Sequence, residues 1–366
     1  MPRNDIAIYA PEAAGLYERV PRETGGAELQ TALLARALGG GRRVAHIVFP
    51  LEQPGEPPPG VTVVQRAAWA GSGARAQLRE AVRVWRALSA ADARVHVFRM
   101  SSPALGIVGL YCRARRRRLV FAGANNFDFT LERMPGAAAR RLYAFGVRSA
   151  DAVVVQTTEQ AELARAAFPD LARVEEIPSF AEPAEPAGEP VAFVWIGRLV
   201  DYKQPLDYVA LAEALPEARF RMVMMETGET PPALARELRE RAAALDNLEL
   251  LPPRGRAELG AVLDEAVAIV STSGLEGMPN VFLEGWARGV PALSLRFDPD
   301  GRIAAHELGH AAGGSFEAFR HAAEELWRGR ADRPELAARV RAYIERTHSP
   351  EAVGARWAAL LDEVAR

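Results

Sequence analysis

The strongest constraint on the fold is a rhythm. Short runs rich in Val, Ile, Leu, Phe and Ala recur at Ile6 to Ala10, Val44 to Phe49, Val61 to Val64, Val95 to Phe98, Leu119 to Ala122 and Ala152 to Val155. Helical stretches lie among them: Ala27 to Leu38, with Leu29, Leu33, Leu34 and Leu38 facing inward, then Ala74 to Leu88 and Glu159 to Phe168. Continuous short apolar runs suit strands buried on both faces, and strands alternating with helices predict a parallel doubly wound sheet. A second series begins at Val191 to Ile196 and continues through Phe220 to Met225, Leu248 to Leu251, Ala266 to Val270 and Val290 to Leu295. Between the series, AEPAEPAGEP from Ala181 to Pro190 has the composition of a linker. The expected architecture is α/β: two Rossmann-like halves, residues 1–180 and 191–348, joined at 181–190, with a last helical segment over 349–366.

Composition excludes several classes. The chain has 366 residues, 49% of them hydrophobic and 25% charged, as in a globular protein with room for two domains. No run reaches the ~18 apolar residues of a membrane span, and MPRNDIAIYAPEAAG lacks the apolar core of a signal peptide. Cys112 is the single cysteine, which rules out a disulfide scaffold and fits a reducing cytoplasm. The net charge is -2, yet residues 1–180 hold 24 basic and 17 acidic side chains against 21 and 30 in the rest. Of the 45 basic residues, 44 are arginine, so the lone lysine, Lys203, marks a position that arginine does not fill.

One stretch carries the most chemistry: STSGLEGMPNVFLEGWARGVP, from Ser271 to Pro291. It lies between two apolar runs and reads as strand, loop, short helix and strand. Pro279 suits a first helical turn, Asn280 to Arg288 the helix, and Gly289 a left-handed stop. The amides around Gly277 to Asn280 then form the positive end of a helix dipole, a ready site for a phosphate or a sugar oxygen. Glu276 and Glu284 frame that helix start. From spacing alone, Glu284 also fits the solvated stripe of an amphipathic helix.

The E-x7-E spacing inside EGMPNVFLEGWARGVP resembles the signature of retaining glycosyltransferases of family four, which have the GT-B fold, two Rossmann-like domains facing each other across a cleft, and use nucleotide sugars. The resemblance implies that Glu284 holds the donor ribose and that Glu276 lies against the transferred sugar, with Gly277, Met278, Pro279, Asn280 and Val281 lining the donor. VAFVWIGRLVDYKQPLDYVALAEAL is similar to the GRL-x3-K segment of the same family: a buried strand, a turn at Gly197 and a helix. There Arg198 and Lys203 would neutralise the diphosphate as the sugar bond breaks, although an arginine and a lysine in a loop are more commonly just solvated. TGGAELQTALLARAL resembles the family's opening, where Gly25 and Gly26 bring backbone close to the donor phosphates and the acceptor. By the same resemblance the last helix crosses back to the first domain.

The implied activity is transfer of a sugar from a UDP-sugar or GDP-sugar to a saccharide or lipid-linked acceptor, in bacterial surface polysaccharide or glycolipid synthesis. The donor is a co-substrate; no further cofactor, metal or nucleic acid is expected. The catalytic residues would be Arg198, Lys203 and Glu276. Where many relatives have a histidine after Ala122, this chain reads Gly123, Ala124, Asn125, Asn126, Phe127, Asp128, leaving Asn125, Asn126 and Asp128 as acceptor-side candidates. Arg113, Arg115, Arg116, Arg117 and Arg118 either favour the C-terminal dipole of their own helix or form a patch for anionic lipid at the inner membrane face. A GT-B sugar epimerase or phosphorylase, or an inactive GT-B binding module, would share these motifs.

Two patterns point elsewhere. His306-Glu307-Leu308-Gly309-His310 matches the H-E-x-x-H of zinc peptidases, which requires both imidazoles on one helical face. The interior Gly309 and the following Gly313-Gly314 argue against such a helix. Asp298-Pro299-Asp300 imitates the metal-binding D-x-D of a different glycosyltransferase fold.

Overall fold

The computed structural model describes residues 2–20, 25–68, 71, 73–131, 134–274 and 276–366, with backbone only at 256 and 257. The chain divides into two compact units, Met1–Phe180 with Pro350–Arg366, and Ala181–Ser349. Part of the loop expected before Gly25, residues 21–24, lies outside the described residues, as does Leu275.

In the first unit the strands are β1 (Asn4–Tyr9), β2 (Val44–Val48), β3 (Val61–Gln65), β4 (Ala93–Phe98), β5 (Arg118–Ala122), β6 (Ala152–Val155) and β7 (Val174–Glu176). They form one parallel sheet in the order β3-β2-β1-β4-β5-β6-β7. The helices are α1 (Gly26–Gly39), α2 (Ala74–Ala91), α3 (Ala104–Arg115), α4 (Phe127–Thr130), α5 (Gly136–Arg148) and α6 (Thr158–Ala167). Alternation along β1 serves both faces: Ala7 and Tyr9 enter one core, Ile6 and Ile8 the other. The second core closes with Leu29, Leu33, Leu34 and Leu38 of α1, as the periodicity of that stretch predicts, and with Val353, Trp357, Leu360, Leu361 and Val364 of the last helix (Pro350–Ala365).

The second unit contains β8 (Ala192–Arg198), α7 (Pro205–Ala214), β9 (Phe220–Met225), α8 (Pro232–Ala242), β10 (Leu248–Leu251), α9 (Arg256–Asp264), β11 (Ala266–Ser271), α10 (Asn280–Ala287), β12 (Ala292–Ser294), α11 (Arg302–Ala305), β13 (Gly309–Ala311), α12 (Phe316–Arg328) and α13 (Pro334–Thr347); the closing helix of the first unit is α14. Its sheet is parallel in the order β10-β9-β8-β11-β12-β13. The strand order reverses between β1 and β4 in one unit and between β8 and β11 in the other. Such switch points open a crevice at the carboxyl ends of the strands; Gly25 and Gly26 follow β1, Arg198 and Lys203 lie at and after the end of β8, and Glu276 follows β11.

Three expectations change. The proline-rich stretch is not a free linker: Ala181 is buried and donates to the His348 carbonyl at 2.8 Å, while the Ala187 and Gly188 amides bond to Arg288 and Asp264 carbonyls at 2.9 and 2.7 Å. Few side-chain hydrophobes are needed to hold a segment whose backbone finds partners. Pro279 stands one position earlier than expected, with extended backbone at the N-cap of α10. The strand after α10 is only Ala292–Ser294, because Val290 and Pro291 complete the turn that Gly289, at φ +82°, begins.

Candidate active site

β8 ends at Arg198, and the chain turns through a single 3-10 turn, Asp201–Lys203, into α7. Gly197 approaches the Trp195 ring so closely that a Cβ there would stand 3.0 Å from it. The indole of Trp195 donates to Thr272 Oγ1 at 3.1 Å, and that hydroxyl donates to the Lys203 carbonyl at 2.7 Å. The Gly274 amide bonds the Tyr202 carbonyl at 2.9 Å. These bonds clamp the loop after β11 onto the turn after β8. Their consequence is that Lys203 Nζ meets Glu276 Oε1 as an ion pair, with side chains 20% and 16% exposed. Ser273 Oγ donates to the same carboxylate oxygen at 2.8 Å.

Arg198 is more open. Its Nη2 bonds the Tyr202 hydroxyl at 2.7 Å and its Nη1 pairs with Glu229 at 3.2 Å. Arg296 reaches the same loop, bonding Asp207 at 2.6 Å and the Thr272 carbonyl at 3.2 Å. The cations at this crevice are therefore held on carboxylates that a ligand would have to displace or share.

α10 presents its N-terminus beside this cluster in sequence. Its N-cap is a proline, with no side chain to satisfy the first amides, and Gly277, Met278 and Pro279 are buried while Asn280, Val281 and Glu284 are half-buried. The other face is anchored by Phe282, Leu283 and Trp286 in the core of the second unit. Arg288 bonds the Glu284 carbonyl at 3.0 Å and the Asp264 carboxylate at 2.8 Å. A helix so fixed keeps its amides in place for an anion.

Gly25 and Gly26 stand at the start of α1, Gly25 as an N-cap without a side-chain bond, in the first unit. The acceptor-side candidates separate. Asp128 is fully buried, accepts from Ser101 and from the Ala124 and Asn125 amides at 2.5 and 3.2 Å, and is internally committed, though burial raises its pKa. Asn125 caps Phe127 at 2.8 Å. Asn126 is buried with neither amide atom bonded. Of the arginine run, Arg117 and Arg118 pair with Asp92 and Asp151 at 3.0 and 2.8 Å. Arg113, Arg115 and Arg116 are exposed at the end of α3.

The H-E-x-x-H pattern is not a helix. His306 caps α11 and lies against the Tyr343 ring, Glu307 turns with φ +51° and pairs with Arg339, and His310 is on β13 in register with Leu293. Two imidazoles so divided between a helix end and a strand do not share a helical face, which removes the peptidase reading. Asp298 bonds the Ile303 and Ala304 amides as a cap for α11, and Asp300 pairs with Arg302, so that motif is structural. Among the described residues, no group of three or more His, Cys, Asp or Glu is gathered to hold a metal.

Thr272, Ser273, Tyr202, Glu229 and Arg296 were not apparent in the sequence as site residues. Their partners are up to 89 positions away, and no local spacing announces such pairs.

Comparison with known proteins gives the same picture. Residues 25–179 match the glycosyl transferase 4-like domain and residues 190–328 the glycosyl transferases group 1 domain. Sucrose-phosphate synthase from Thermosynechococcus elongatus superposes with a TM-score of 0.77 at 15% identity over 99% of both chains. Anabaena HepE in complex with UDP-glucose gives 0.72 at 14% identity over 99% of this chain and 100% of that one. The lipopolysaccharide outer core galactosyltransferase WaaB gives 0.65 at 12% over 98% and 99%. No curated protein matches by sequence. With both domains matched and the architecture shared, the chain belongs to the group 1 glycosyltransferases and has the GT-B fold.

Proposed function

We propose that the protein is a retaining, metal-independent glycosyltransferase that moves a sugar from a nucleotide-diphosphate sugar to a saccharide or lipid-linked saccharide acceptor. The observation that carries this reading is the convergence of Lys203, Glu276 and Ser273 at the β8/β11 switch point, with Arg198 alongside and the N-terminus of α10, whose N-cap Pro279 makes no side-chain bond, next in the chain. The donor belongs to the second unit and the acceptor to the first. In the resting state Lys203 neutralises Glu276. An arriving diphosphate offers Lys203 more negative charge than a carboxylate does, and a released Glu276 then accepts from sugar hydroxyls. Lys203, Arg198 and the amides at Gly277 to Asn280 stabilise the charge that grows on the diphosphate as the glycosidic bond breaks. The acceptor attacks from the leaving-group face and its proton passes to the donor phosphate, so no protein nucleophile is needed. Glu284 holds the ribose.

The UDP and UDP-glucose complexes of HepE support a UDP-sugar donor, and the outer core galactosyltransferase supports a role in surface polysaccharide or glycolipid synthesis. Among the described residues no helix is long and apolar enough to cross a membrane. Contact with the inner face of an anionic membrane falls to Arg113, Arg115 and Arg116, which are exposed and among the described residues have no carboxylate partner, unlike Arg117 and Arg118. The test is a panel of nucleotide sugars assayed for nucleoside diphosphate release with and without saccharide acceptors. One donor should stand out, with anomeric configuration kept in the product. Inversion, or tight nucleotide binding with no release from any donor, would overturn the reading.

A further inference from the structure

The first unit holds a cation that the transfer described above leaves unused. Arg99 is the residue directly after β4, at the β1/β4 switch point, and is 8% exposed. It lines a small recess, partly open to solvent, together with Gln30, Thr31, Val97, Phe180 and Trp357. The walls are fixed. Gln30 exchanges two hydrogen bonds with the Phe180 backbone, at 2.8 and 2.7 Å, and Thr31 Oγ1 donates to the Glu28 carbonyl at 2.7 Å.

Among the described residues no carboxylate is bonded to Arg99. Its Nε is buried without a hydrogen-bond partner. The charges that act on it, Asp128 first and Glu28 second, do so through space, and the Asp128 carboxylate is already taken by Ser101 and two backbone amides. Burial lowers the guanidinium pKa to about 10, so it remains a cation at neutral pH. Asn126, in the loop that Asp128 caps, is 4% exposed and adds two more unbonded polar atoms to the same unit. Buried charges are ordinarily paired, because an unpaired one is costly to keep out of water. An arginine beside a recess with no directly bonded carboxylate among the described residues has hydrogen-bonding capacity left, and a planar guanidinium matches the two oxygens of a carboxylate or phosphate.

We propose that Arg99 is an anion-recognition site for the acceptor, receiving a phosphate or carboxylate carried by the sugar. The proposal rests on the reading that the acceptor binds the first unit. It deepens that reading by restricting the acceptor class to anionic sugars, with Arg99 as the residue that determines specificity.

The experiment is calorimetric binding to the full-length protein without donor, so that it does not depend on turnover. The probes are a panel of hexose phosphates and uronic acids, their neutral parent hexoses, and inorganic phosphate, each with wild type, Arg99→Lys and Arg99→Met. At least one anionic sugar should bind ten or more times more tightly than its neutral parent, roughly the worth of one charge-assisted bidentate contact. Arg99→Met should abolish that preference, Arg99→Lys should retain part of it, and the anionic sugar should raise the melting temperature of wild type but not of Arg99→Met. Equal binding of charged and neutral sugars to wild type would overturn the proposal, as would a preference that survives in both variants. Inorganic phosphate binding through Arg99 with no anionic sugar binding more tightly would overturn the acceptor assignment and leave a free-anion site. If Arg99→Met does not fold, Arg99→Lys carries the comparison, because a purely structural arginine would show no sugar preference for lysine to weaken. Absence of transferase activity alongside an intact preference would count against the proposed function and not against this site.

Discussion

Arg66 and Arg99 occupy equivalent places in one sheet, each the residue directly after a strand, β3 and β4, and each buried. Their surroundings differ. Arg66 pairs with Glu80 at 2.5 Å, bonds the Ala67 carbonyl at 3.1 and 3.0 Å, donates to the Tyr9 hydroxyl and lies over the Phe49 ring at 5.2 Å. Arg99 has a recess where Arg66 has Glu80. The contrast separates two uses of a buried guanidinium. One whose three nitrogens all have partners is part of the architecture, and one whose nitrogens do not all have them leaves its remaining capacity to a ligand. Lys203 stands between them, paired with a carboxylate yet part exposed, so its partner can be exchanged.

The largest way to break this contrast is Glu80→Gln, which turns Arg66 into a second unpaired guanidinium. Removing one partner of a buried pair costs about 3–5 kcal/mol, and chemical denaturation should show a loss in that range. A loss under about 1 kcal/mol would mean that pairing is not what makes Arg66 structural. Next comes Lys203→Ala. Losing one preorganised donor to developing charge should lower turnover about 100- to 1,000-fold, some 2.7–4 kcal/mol of barrier. Measured by nucleoside diphosphate release, an effect below tenfold would leave Lys203 as a mere partner of Glu276.

Lys203→Arg is a finer probe. The planar fork replaces a compact ammonium, and both the Glu276 pair and the phosphate contact must accommodate it, so turnover should fall at least about tenfold. Full turnover would make the lone lysine a compositional accident. Glu284→Gln should act mainly on the donor KM, raising it several-fold with kcat within about twofold, because a ribose contact exists in ground and transition states alike. A fall in kcat with KM unchanged would move Glu284 into the chemistry. The smallest expected effect is none: an excess of chelator should leave donor turnover unchanged if Lys203, Arg198 and backbone amides carry the diphosphate. Loss of activity that returns with a divalent cation would assign that charge to a metal.

The series of apolar runs located the interior strands of both sheets, because a strand buried on both faces is apolar along most of its length. β7 escaped, since Val174–Glu176 is three half-buried residues at the sheet edge, two of them acidic. β13, Gly309–Ala311, escaped for a related reason: it contributes chiefly backbone, and Gly309, at φ +139°, lies against the Ala292 carbonyl where a Cβ would stand at 1.9 Å. In the site, the E-x7-E motif is sequence-local and was legible with its helix and its glycine stop. Asp128, by contrast, looked available in the sequence and is an internal cap.

By itself the sequence determined what depends on near neighbours: where strands and helices lie, that there are two series of them, and which residues open and close α10. Hydrophobic period, proline and glycine act within a few residues, so they can be read along the chain. The tertiary structure decided which charges have partners. Lys203 and Glu276 are 73 positions apart and meet only because β8 and β11 are neighbours in the sheet, which brings the loops at their carboxyl ends together. Arg99 and Arg66 follow their strands in the same way, and nothing nearby distinguishes them. Whether a buried cation finds its counter-charge in the protein is settled by which elements pack around it, and for Arg99 those elements leave a recess.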